Sequence, residues 1–337
     1  MLRRLVFLAF TLLLIAAFLV YSKMQQLASQ PLQLSEPLFT VPAGASALGL
    51  CRQWQRQQLL SEQDCHLLRL SLYLQPELAA VQAGTYRVSP QQSVIEVLQH
   101  FVRGEEAQFA FTWREGETLQ QTLERLEQAD YLVFDLNEHQ LLSLLQWPES
   151  WGEAPEKGEG LFFPDTYHYT ANSRASQLLS RAHQRLLQQL EHSWHYRSLD
   201  NPLQTPYELL IMASIIEKEA GHEPEKPLVS SVFANRLRSN MRLQTDPTVI
   251  YGLENFSGRI TRADLNNPHP YNTYRHHGLP PGPISSVSRS SLLAAAQPAE
   301  TTLYYFVSRG DGTHVFSETL QEHNAAVRRY ILGQNND

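Results

Sequence analysis

Two glutamates near the end of one apolar segment carry the carboxyl groups of this sequence best suited to acid–base chemistry. Residues 214–220 read SIIEKEA, so the two acids, Glu217 and Glu219, follow a run of apolar side chains. Apolar surroundings disfavour the charged form of a carboxyl group, which can then stay protonated near neutral pH and donate a proton. The pattern therefore indicates a general acid on this segment.

The spacing of the two acids places them on different faces of a helix. Residues two apart are rotated by about 200°, so Glu217 and Glu219 cannot share one site. Glu217 stacks over Ala213 and Ser214, whose small side chains leave room for a substrate, whereas Glu219 stacks over larger apolar residues. We therefore predict that Glu217 is the general acid and that Glu219→Gln has a mild effect. The alternative is that both acids are solvated charges paired with Lys218 or an arginine.

The helix that carries the acids has clear start and stop signals. Thr205 is a suitable N-cap, Pro206 suits the first helical position, and Glu208 completes a capping box. Gly221 suits a left-handed C-terminal stop. These signals predict a helix over Pro206–Ala220.

Polar and aromatic side chains are concentrated in two blocks downstream of this helix. Residues 242–248 read RLQTDPT and residues 266–274 read NNPHPYNTY. Sugar rings need amide, guanidinium and carboxylate partners at their edges and apolar or aromatic faces beneath them. The predicted substrate-binding residues are Gln244, Thr245, Asp246, Tyr271, Asn272, Thr273 and Tyr274.

These substrate-binding assignments have a structural alternative. Asp246 precedes Pro247 and could cap a helix, and Tyr271 or Tyr274 could pack under a loop. The segment 267–287 has little helical or strand pattern, and an irregular segment of about 20 residues in a compact domain is usually functional. A proline-rich surface loop is the other interpretation. We expect Gln244→Ala or Asn272→Ala to lower turnover without loss of stability.

The N-terminus carries an apolar stretch that predicts a membrane anchor. Residues 5–21 are apolar except for Thr11 and follow Arg3 and Arg4, which favour the cytoplasmic side. A cleaved signal peptide is the alternative, although no clear small-residue cleavage pattern follows. We predict a cytoplasmic tip at 1–4, a transmembrane anchor at 5–21 and a polar stalk at 22–38. The location expected is the bacterial inner membrane, single-pass, with the catalytic domain in the periplasm.

The rest of the chain is predicted to be an α+β protein of two parts. Residues 39–105 form a small α+β subdomain, 106–159 a connector, and 160–333 a larger α+β catalytic domain, with the glycan-binding cleft expected between or beside the two domains. Cys51 and Cys65 lie on two predicted short helices and could form a disulfide or remain buried free thiols.

Composition excludes several classes of protein. The chain has 337 residues, of which 42% are hydrophobic and 18% charged, which excludes disorder as the main state. Three of the 27 basic residues precede residue 30, which leaves 24 against 34 acids and no basic footprint for nucleic acid. The histidines lack the spacing of a zinc helix, and neither a G-x-S-x-G elbow nor a Gly-rich phosphate loop is present.

Several longer blocks resemble one family, the MltG (YceG-like) endolytic murein lytic transglycosylases. The resemblance covers the chain from the anchor to near the C-terminus and occurs in the same order. Its blocks are AGTY at 83–86, FPDTY at 163–167, ASIIEKE at 213–219, RLQTDPTVIYG at 242–252, YNTY at 271–274, GLPPG at 278–282 and HN at 323–324. The chain departs from the family pattern at Ala220-Gly221-His222, which puts the helix end in doubt.

The resemblance implies an enzyme that cuts peptidoglycan strands internally, between N-acetylmuramic acid and N-acetylglucosamine, and leaves a 1,6-anhydro end. It implies that Glu217 acts as general acid and then as general base toward the muramic 6-hydroxyl. It also implies a LysM-like small subdomain, no cofactor, and a peptidoglycan synthase as a partner, with a role in ending strand elongation.

Two other functions remain open from the residues alone. A hydrolytic muramidase would use Glu217 with a second carboxylate, for which Asp246 is the best-placed candidate. A non-catalytic wall-binding scaffold would grip glycan with the small domain and dock a synthase with the large one. The absence of a groove at Glu217, or its burial in an ion pair with Lys218 or an arginine, would favour the scaffold.

Overall fold

The computed structural model describes residues 2–333, which form a mixed α+β fold in which helices predominate. The chain divides into two compact units. One comprises Met1–Phe109 with Thr170–Asn172, and the other comprises Ala110–Tyr169 with Ser173–Asp337. The predicted α+β class is confirmed. The larger unit begins at Ala110 and so includes most of the segment predicted as a connector.

The smaller unit is built on a two-stranded antiparallel sheet and short capped helices. Its elements are α1 (Leu2–Ser29), β1 (Leu38–Val41), α2 (Ala47–Arg56), α3 (Glu62–Leu74), a 3₁₀ turn (Pro76–Ala79), β2 (Gly84–Arg87) and α4 (Val94–Arg103). Leu38 pairs with Arg87 and Val41 with Gly84 in the sheet. Trp54, Tyr86 and Phe101 are fully buried in its core.

A disulfide joins α2 to α3. Cys51 and Cys65 are bonded, with their Cα atoms 5.8 Å apart. This resolves the choice that the sequence left open between a bridge and two free thiols. A covalently closed loop of this length stabilises a fold by about 3 kcal/mol.

The N-terminal helix is long and apolar enough to cross a membrane, by length and composition. Helix α1 spans 28 residues and continues past the predicted anchor to Ser29. The predicted stalk differs from the structure, because Leu27, Leu32 and Leu34 are buried in the core of the smaller unit. These apolar side chains fold the segment back onto the domain instead of leaving it extended.

The larger unit surrounds one buried helix. Its first elements are β3 (Gln108–Thr112), α5 (Leu119–Glu127), α6 (Glu138–Ser143), a 3₁₀ turn (Glu149–Trp151), β4 (Thr166–Thr170) and α7 (Ala175–His195). They are followed by α8 (Pro206–Glu219), a 3₁₀ turn (Glu223–Glu225), α9 (Lys226–Arg238), α10 (Asp246–Tyr251), α11 (Arg262–Asn266), α12 (Arg289–Ala296), β5 (Tyr305–Ser308), β6 (His314–Ser317) and α13 (Leu320–Tyr330). Strand β3 begins in the smaller unit, and strand β4 ends in it. Helix α8 packs against α7, α9, α10 and α12, and all its residues from Leu209 to Ile216 are buried. Strands β5 and β6 form an antiparallel hairpin.

The predicted acid-bearing helix is confirmed as α8, with two corrections at its ends. Thr205 caps it by accepting a hydrogen bond from Glu208 N at 3.1 Å. Glu208 reaches back to the amide of Gln204, one residue before the predicted partner. Gly221 does not adopt the left-handed conformation, because the chain leaves the helix through Ala220 in an extended conformation at φ −99° and ψ 93°.

The irregular segment predicted at 267–287 is confirmed. Between the end of α11 and the start of α12 the described chain forms turns and bends but no helix or strand. Its last part lies on α8, where Ile284 N donates a hydrogen bond to Ser214 Oγ at 3.0 Å. The segment therefore covers one face of the helix that carries both acids.

Candidate active site

A cavity of about 500 Å³ opens in the larger unit beside the last residue of α8. Cavities of this size suit small molecules or segments of a polymer. The lining residues are Glu219, Arg236, Gln244, Asp246, Tyr274, Tyr305, Phe306, Val307, Ser308, His314, Leu320, His323 and Val327. They come from α8, α9, the β5–β6 hairpin, α13 and the two polar blocks.

Glu219 is the carboxyl group of α8 that faces this cavity. Its Oε1 accepts a hydrogen bond from Thr245 Oγ1. Burial raises the pKa of Glu219, the Thr245 hydrogen bond opposes this shift, and the charge of Asp246 adds to it. The positive charges of His314 and Arg236 act in the opposite direction but do not cancel the rise. Glu219 therefore has the property required of a general acid.

A chain of buried threonines holds the hydroxyl group that contacts Glu219. Thr245 is buried, and its amide donates to Thr273 Oγ1 at 3.1 Å. Thr273 Oγ1 is in turn 2.8 Å from Thr248 Oγ1. These contacts fix the orientation of Thr245, and through it that of the Glu219 carboxyl group. Thr245 and Thr273 therefore support the acid.

Three of the predicted substrate-binding residues lie on the cavity wall. Gln244 and Asp246 are exposed there, on either side of buried Thr245. The backbone of Gln244 has a left-handed φ of 49°, which makes the chain turn sharply at this residue. Tyr274 donates its hydroxyl hydrogen bond to Asp246 Oδ1 at 2.7 Å.

Tyr271 and Asn272 do not line the cavity and instead shape the loop that carries Tyr274. The Asn272 amide donates to three carbonyl oxygens, those of Asp264, Leu265 and Asn267, at 3.3, 3.1 and 2.7 Å. Tyr271 is buried against Tyr251, with ring centroids 4.8 Å apart. Tyr271, Asn272 and Thr273 therefore act as scaffold, because the Tyr271 ring is buried and the polar groups of Asn272 and Thr273 are hydrogen-bonded inside the protein.

Glu217 lies in different surroundings from those predicted. Its side chain is 8% exposed, and its Oε1 is 3.4 Å from the ammonium group of Lys226, whose side chain is 5% exposed. Its Oε2 accepts hydrogen bonds from the amide of Ser288, at 2.8 Å, and from the Ser288 hydroxyl group. The space beside small Ser214 is filled by the segment ending at Ser288, and within the described residues Glu217 is not part of the cavity lining.

Lys218, which the alternative interpretation of the sequence paired with the two glutamates, contacts a different part of the chain. Lys218 Nζ donates to the carbonyl oxygen of Gly116 at 3.0 Å. The segment around Gly116 is itself bonded to the loop over α8, since Gly116 N donates to Ser286 O at 3.0 Å.

Glu115, in the same segment, was not predicted as a site residue. Burial and the nearby charge of Glu217 raise the pKa of its carboxyl group.

The cavity has six further polar or aromatic residues that were not assigned to the site from the sequence: Arg236, Tyr305, Phe306, Ser308, His314 and His323. Arg236 is buried and donates to the carbonyl oxygens of Tyr304 and Leu243, at 2.7 and 2.6 Å. The ring of His323 stacks on Tyr305 at 5.2 Å. The hairpin that supplies Tyr305 and His314 could be predicted from the sequence, because aromatic residues lie on both sides of a Gly-Asp-Gly turn at 310–312.

The chemistry available in the cavity is that of one protonatable acid among hydrogen-bonding and aromatic groups. Among residues 2–333, no group of three or more His, Cys, Asp or Glu side chains is placed to hold a metal ion. Glu219 can donate a proton, while Gln244, Asp246 and Tyr274 can orient a polar ligand. Arg236 places a positive charge on the same wall.

Comparison with known proteins places this geometry in a family. The model of the YceG-like family matches residues 39–329. An endolytic murein transglycosylase of Bacillus subtilis is 37% identical over 177 residues, which cover 52% of this chain and 49% of that protein. One of Streptococcus pneumoniae is 28% identical over 179 residues, which cover 51% of this chain and 32% of that protein.

These curated relatives are longer proteins, and the matched part spans about half of the first and a third of the second. A crystal structure of a YceG-like protein from Listeria monocytogenes superposes with a TM-score of 0.55 at 28% identity, covering 86% of this chain and 98% of that chain. The family resemblance seen in the sequence is thereby confirmed. The chain belongs to the YceG-like family.

Proposed function

We propose that this chain is an endolytic peptidoglycan lytic transglycosylase in which Glu219 is the general acid and base. The observation that carries the proposal is the position of Glu219, a carboxyl group of raised pKa that shares one cavity with Gln244, Asp246 and Tyr274. The names of the relatives support the same reaction class. This assignment replaces Glu217, whose carboxylate is occupied by Lys226 and Ser288.

In the proposed reaction, Glu219 donates its proton to the oxygen that links N-acetylmuramic acid to N-acetylglucosamine. The resulting carboxylate then accepts the proton of the muramic 6-hydroxyl group, whose oxygen attacks the anomeric carbon. The bond between the sugars breaks with the first proton on the leaving sugar, Glu219 is protonated again by the proton of the 6-hydroxyl group, and the product carries a 1,6-anhydro end. Because the nucleophile belongs to the substrate, the rate depends on holding the sugar ring with this hydroxyl near the anomeric carbon.

The remaining cavity residues supply that positioning. The Tyr274–Asp246 hydrogen bond holds the Asp246 carboxyl group at the cavity wall, where it can accept from a sugar hydroxyl. Gln244 offers both a donor and an acceptor to the hydroxyl groups of a sugar ring. Thr245 keeps the Glu219 carboxyl group in one orientation.

We propose that α1 anchors the enzyme in the bacterial inner membrane with the catalytic unit in the periplasm. Its apolar length and the preceding Arg3 and Arg4 support this orientation. The helix pair and two-stranded sheet of the smaller unit are the part for which the family resemblance implies LysM-like glycan binding. Confinement near the membrane suits action on nascent strands beside a peptidoglycan synthase, and thereby termination of strand elongation.

A hydrolytic muramidase is the second candidate, because Asp246 lies in the same cavity as Glu219. In such an enzyme one carboxyl group protonates the leaving oxygen and the other activates water or attacks the sugar. The two mechanisms leave different ends on the glycan. A hydrolase produces reducing muramic ends, whereas a transglycosylase produces anhydro ends.

Mass analysis of the fragments that the purified full chain releases from sacculi tests this proposal. Wild-type protein should release anhydro-ended fragments, and Glu219→Gln should release almost none while keeping the wild-type fold. Reducing ends would identify a muramidase. Absence of any cleavage by folded wild-type protein would instead support the non-catalytic scaffold.

A further inference from the structure

A buried carboxylate holds one histidine of the cavity by two hydrogen bonds. Glu225 ends the 3₁₀ turn that follows α8, and His314 begins strand β6. Glu225 Oε2 is 2.7 Å from His314 Nδ1, and Glu225 Oε1 accepts from the His314 backbone amide at 3.1 Å. One side chain therefore fixes both the position of the strand and the rotation of the imidazole ring.

The pair is shielded from solvent. The His314 and Glu225 side chains are 11% and 13% exposed. The ring of Phe306 stands edge-on to the imidazole, with centroids 5.3 Å apart. Burial tends to raise the pKa of Glu225, but the hydrogen bonds and charge of His314 outweigh it and hold the pKa below its ordinary value. Glu225 is therefore an acceptor for the ring.

This hydrogen bond decides which ring nitrogen remains available. An ionised carboxylate only accepts, so the nitrogen that faces Glu225 carries the proton. Nε2 is then the ring nitrogen that remains available to another partner. Within residues 2–333 no hydrogen-bond partner is found for His314 Nε2, and His314 lines the same cavity as Glu219. One nitrogen of an oriented ring thus remains unused on a residue of the cavity wall.

We propose that His314 contacts the substrate through a hydrogen bond between Nε2 and a hydroxyl group of the glycan, and that Glu225 is the positioning residue of His314. The inference rests on the proposed function of the cavity and adds a substrate-contacting residue to it. A carboxylate that orients an imidazole toward a reacting group is a recurrent arrangement in enzymes.

The variant His314→Asn separates the two faces of the ring. The asparagine amide can still donate to Glu225 from near the Nδ1 position, but it has no atom where Nε2 stood. We expect a melting temperature within a few degrees of wild type and a kcat/KM for polymeric glycan lower by roughly tenfold. Glu225→Gln should lower kcat/KM less, because the ring keeps its packing. Glu223→Gln, whose side chain is 70% exposed, is the matched control and should behave as wild type.

His314→Asn with full activity would overturn the proposal and leave a purely structural pair. If this variant does not fold, nitrogen NMR of the imidazole in the Glu219→Gln protein replaces it. Addition of a soluble glycan of alternating N-acetylglucosamine and N-acetylmuramic acid should then shift the Nε2 resonance, and no shift would overturn the contact. An active Glu219→Gln protein would contradict the proposed function itself. If Glu219→Gln is inactive while His314→Asn is fully active, only the inference about His314 is contradicted.

Discussion

The surroundings of Glu217 and Glu219 differ more than their separation in the sequence suggests. Glu217 is enclosed by Lys226 and Ser288 and reaches no cavity among the described residues. Glu219 lines an open cavity, and its closest polar contact is the neutral hydroxyl group of Thr245. The two acids are two residues apart on one helix, so the same stretch of sequence flanks both of them.

The difference shows how a fold assigns roles to similar acids. A buried carboxylate with a cationic partner has its charge compensated inside the protein, and removing either member leaves the other unpaired. A buried carboxyl group beside a second carboxyl group, such as Glu219 beside Asp246, instead has its charged form disfavoured, which favours proton donation. The first arrangement stabilises structure, and the second supports catalysis.

The largest effect should come from exchanging each acid for its amide. Glu219→Gln keeps the shape of the side chain but loses the transferable proton, so turnover should fall by roughly 10²- to 10⁴-fold. Glu217→Gln should retain most of the activity of each folded molecule. Turnover on sacculi, normalised to the folded fraction by circular dichroism, measures both. An inactive Glu217→Gln beside an active Glu219→Gln would reverse the assignment.

The second prediction tests whether the Glu217 region is structural. Lys226→Met leaves the Glu217 carboxylate buried without its cation, which should lower the free energy of unfolding by about 3 kcal/mol. The double variant Lys226→Met/Glu217→Gln should recover part of this loss, because no unpaired charge remains. Urea unfolding measures both, with exposed Lys218→Met as the control. Equal stability of Lys226→Met and wild type would contradict the structural role.

The third prediction separates cavity wall from scaffold within the two polar blocks. Gln244→Ala should lower kcat/KM for polymeric glycan by about tenfold with little change in stability, because it removes a side chain from the wall. Asn272→Ala, first expected to behave in the same way, should instead lower stability by about 2 kcal/mol, since three partly buried carbonyl groups lose their donor. Thermal unfolding and specific activity of both proteins decide the matter.

The smallest effect concerns Glu159, a third carboxyl group, buried like Glu219 but bound to the protein itself. It accepts from Leu119 N at 3.0 Å and from the Tyr251 hydroxyl group at 3.3 Å. Burial raises its pKa from 4.5 to about 7. The folded state therefore binds this proton more tightly than the unfolded state, so the contribution to stability is present below pH 4.5 and is lost as pH rises through about 7.

Glu159→Gln should remove this dependence and raise stability at pH 8 by about 1 kcal/mol, because the amide carries no charge to desolvate. Urea unfolding of wild type and variant at pH 5 and pH 8 provides the measurement. Parallel pH dependence of the two proteins would show that another group is responsible.

Much of the local structure followed from sequence because its causes are local. The limits of α8 depend on Thr205, Pro206 and the apolar run after them, and these act within one or two turns. The opposite orientation of Glu217 and Glu219 follows from the rotation of about 100° per residue. The concentration of polar and aromatic groups in a loop predicted Gln244 and Asp246 as substrate-binding residues, and the structure brings both to one cavity wall.

Only the tertiary structure decided which acid faces the cavity. The side of α8 that carries Glu217 has small residues, and from sequence this space could admit a substrate. The fold fills it with the segment from Ile284 to Ser288 and with Lys226 from α9. The side that carries Glu219 receives Thr245 and the walls formed by α9, the β5–β6 hairpin and α13. A helix face is exposed or closed according to what distant parts of the chain pack against it, and the spacing of residues within the helix carries no information about those partners.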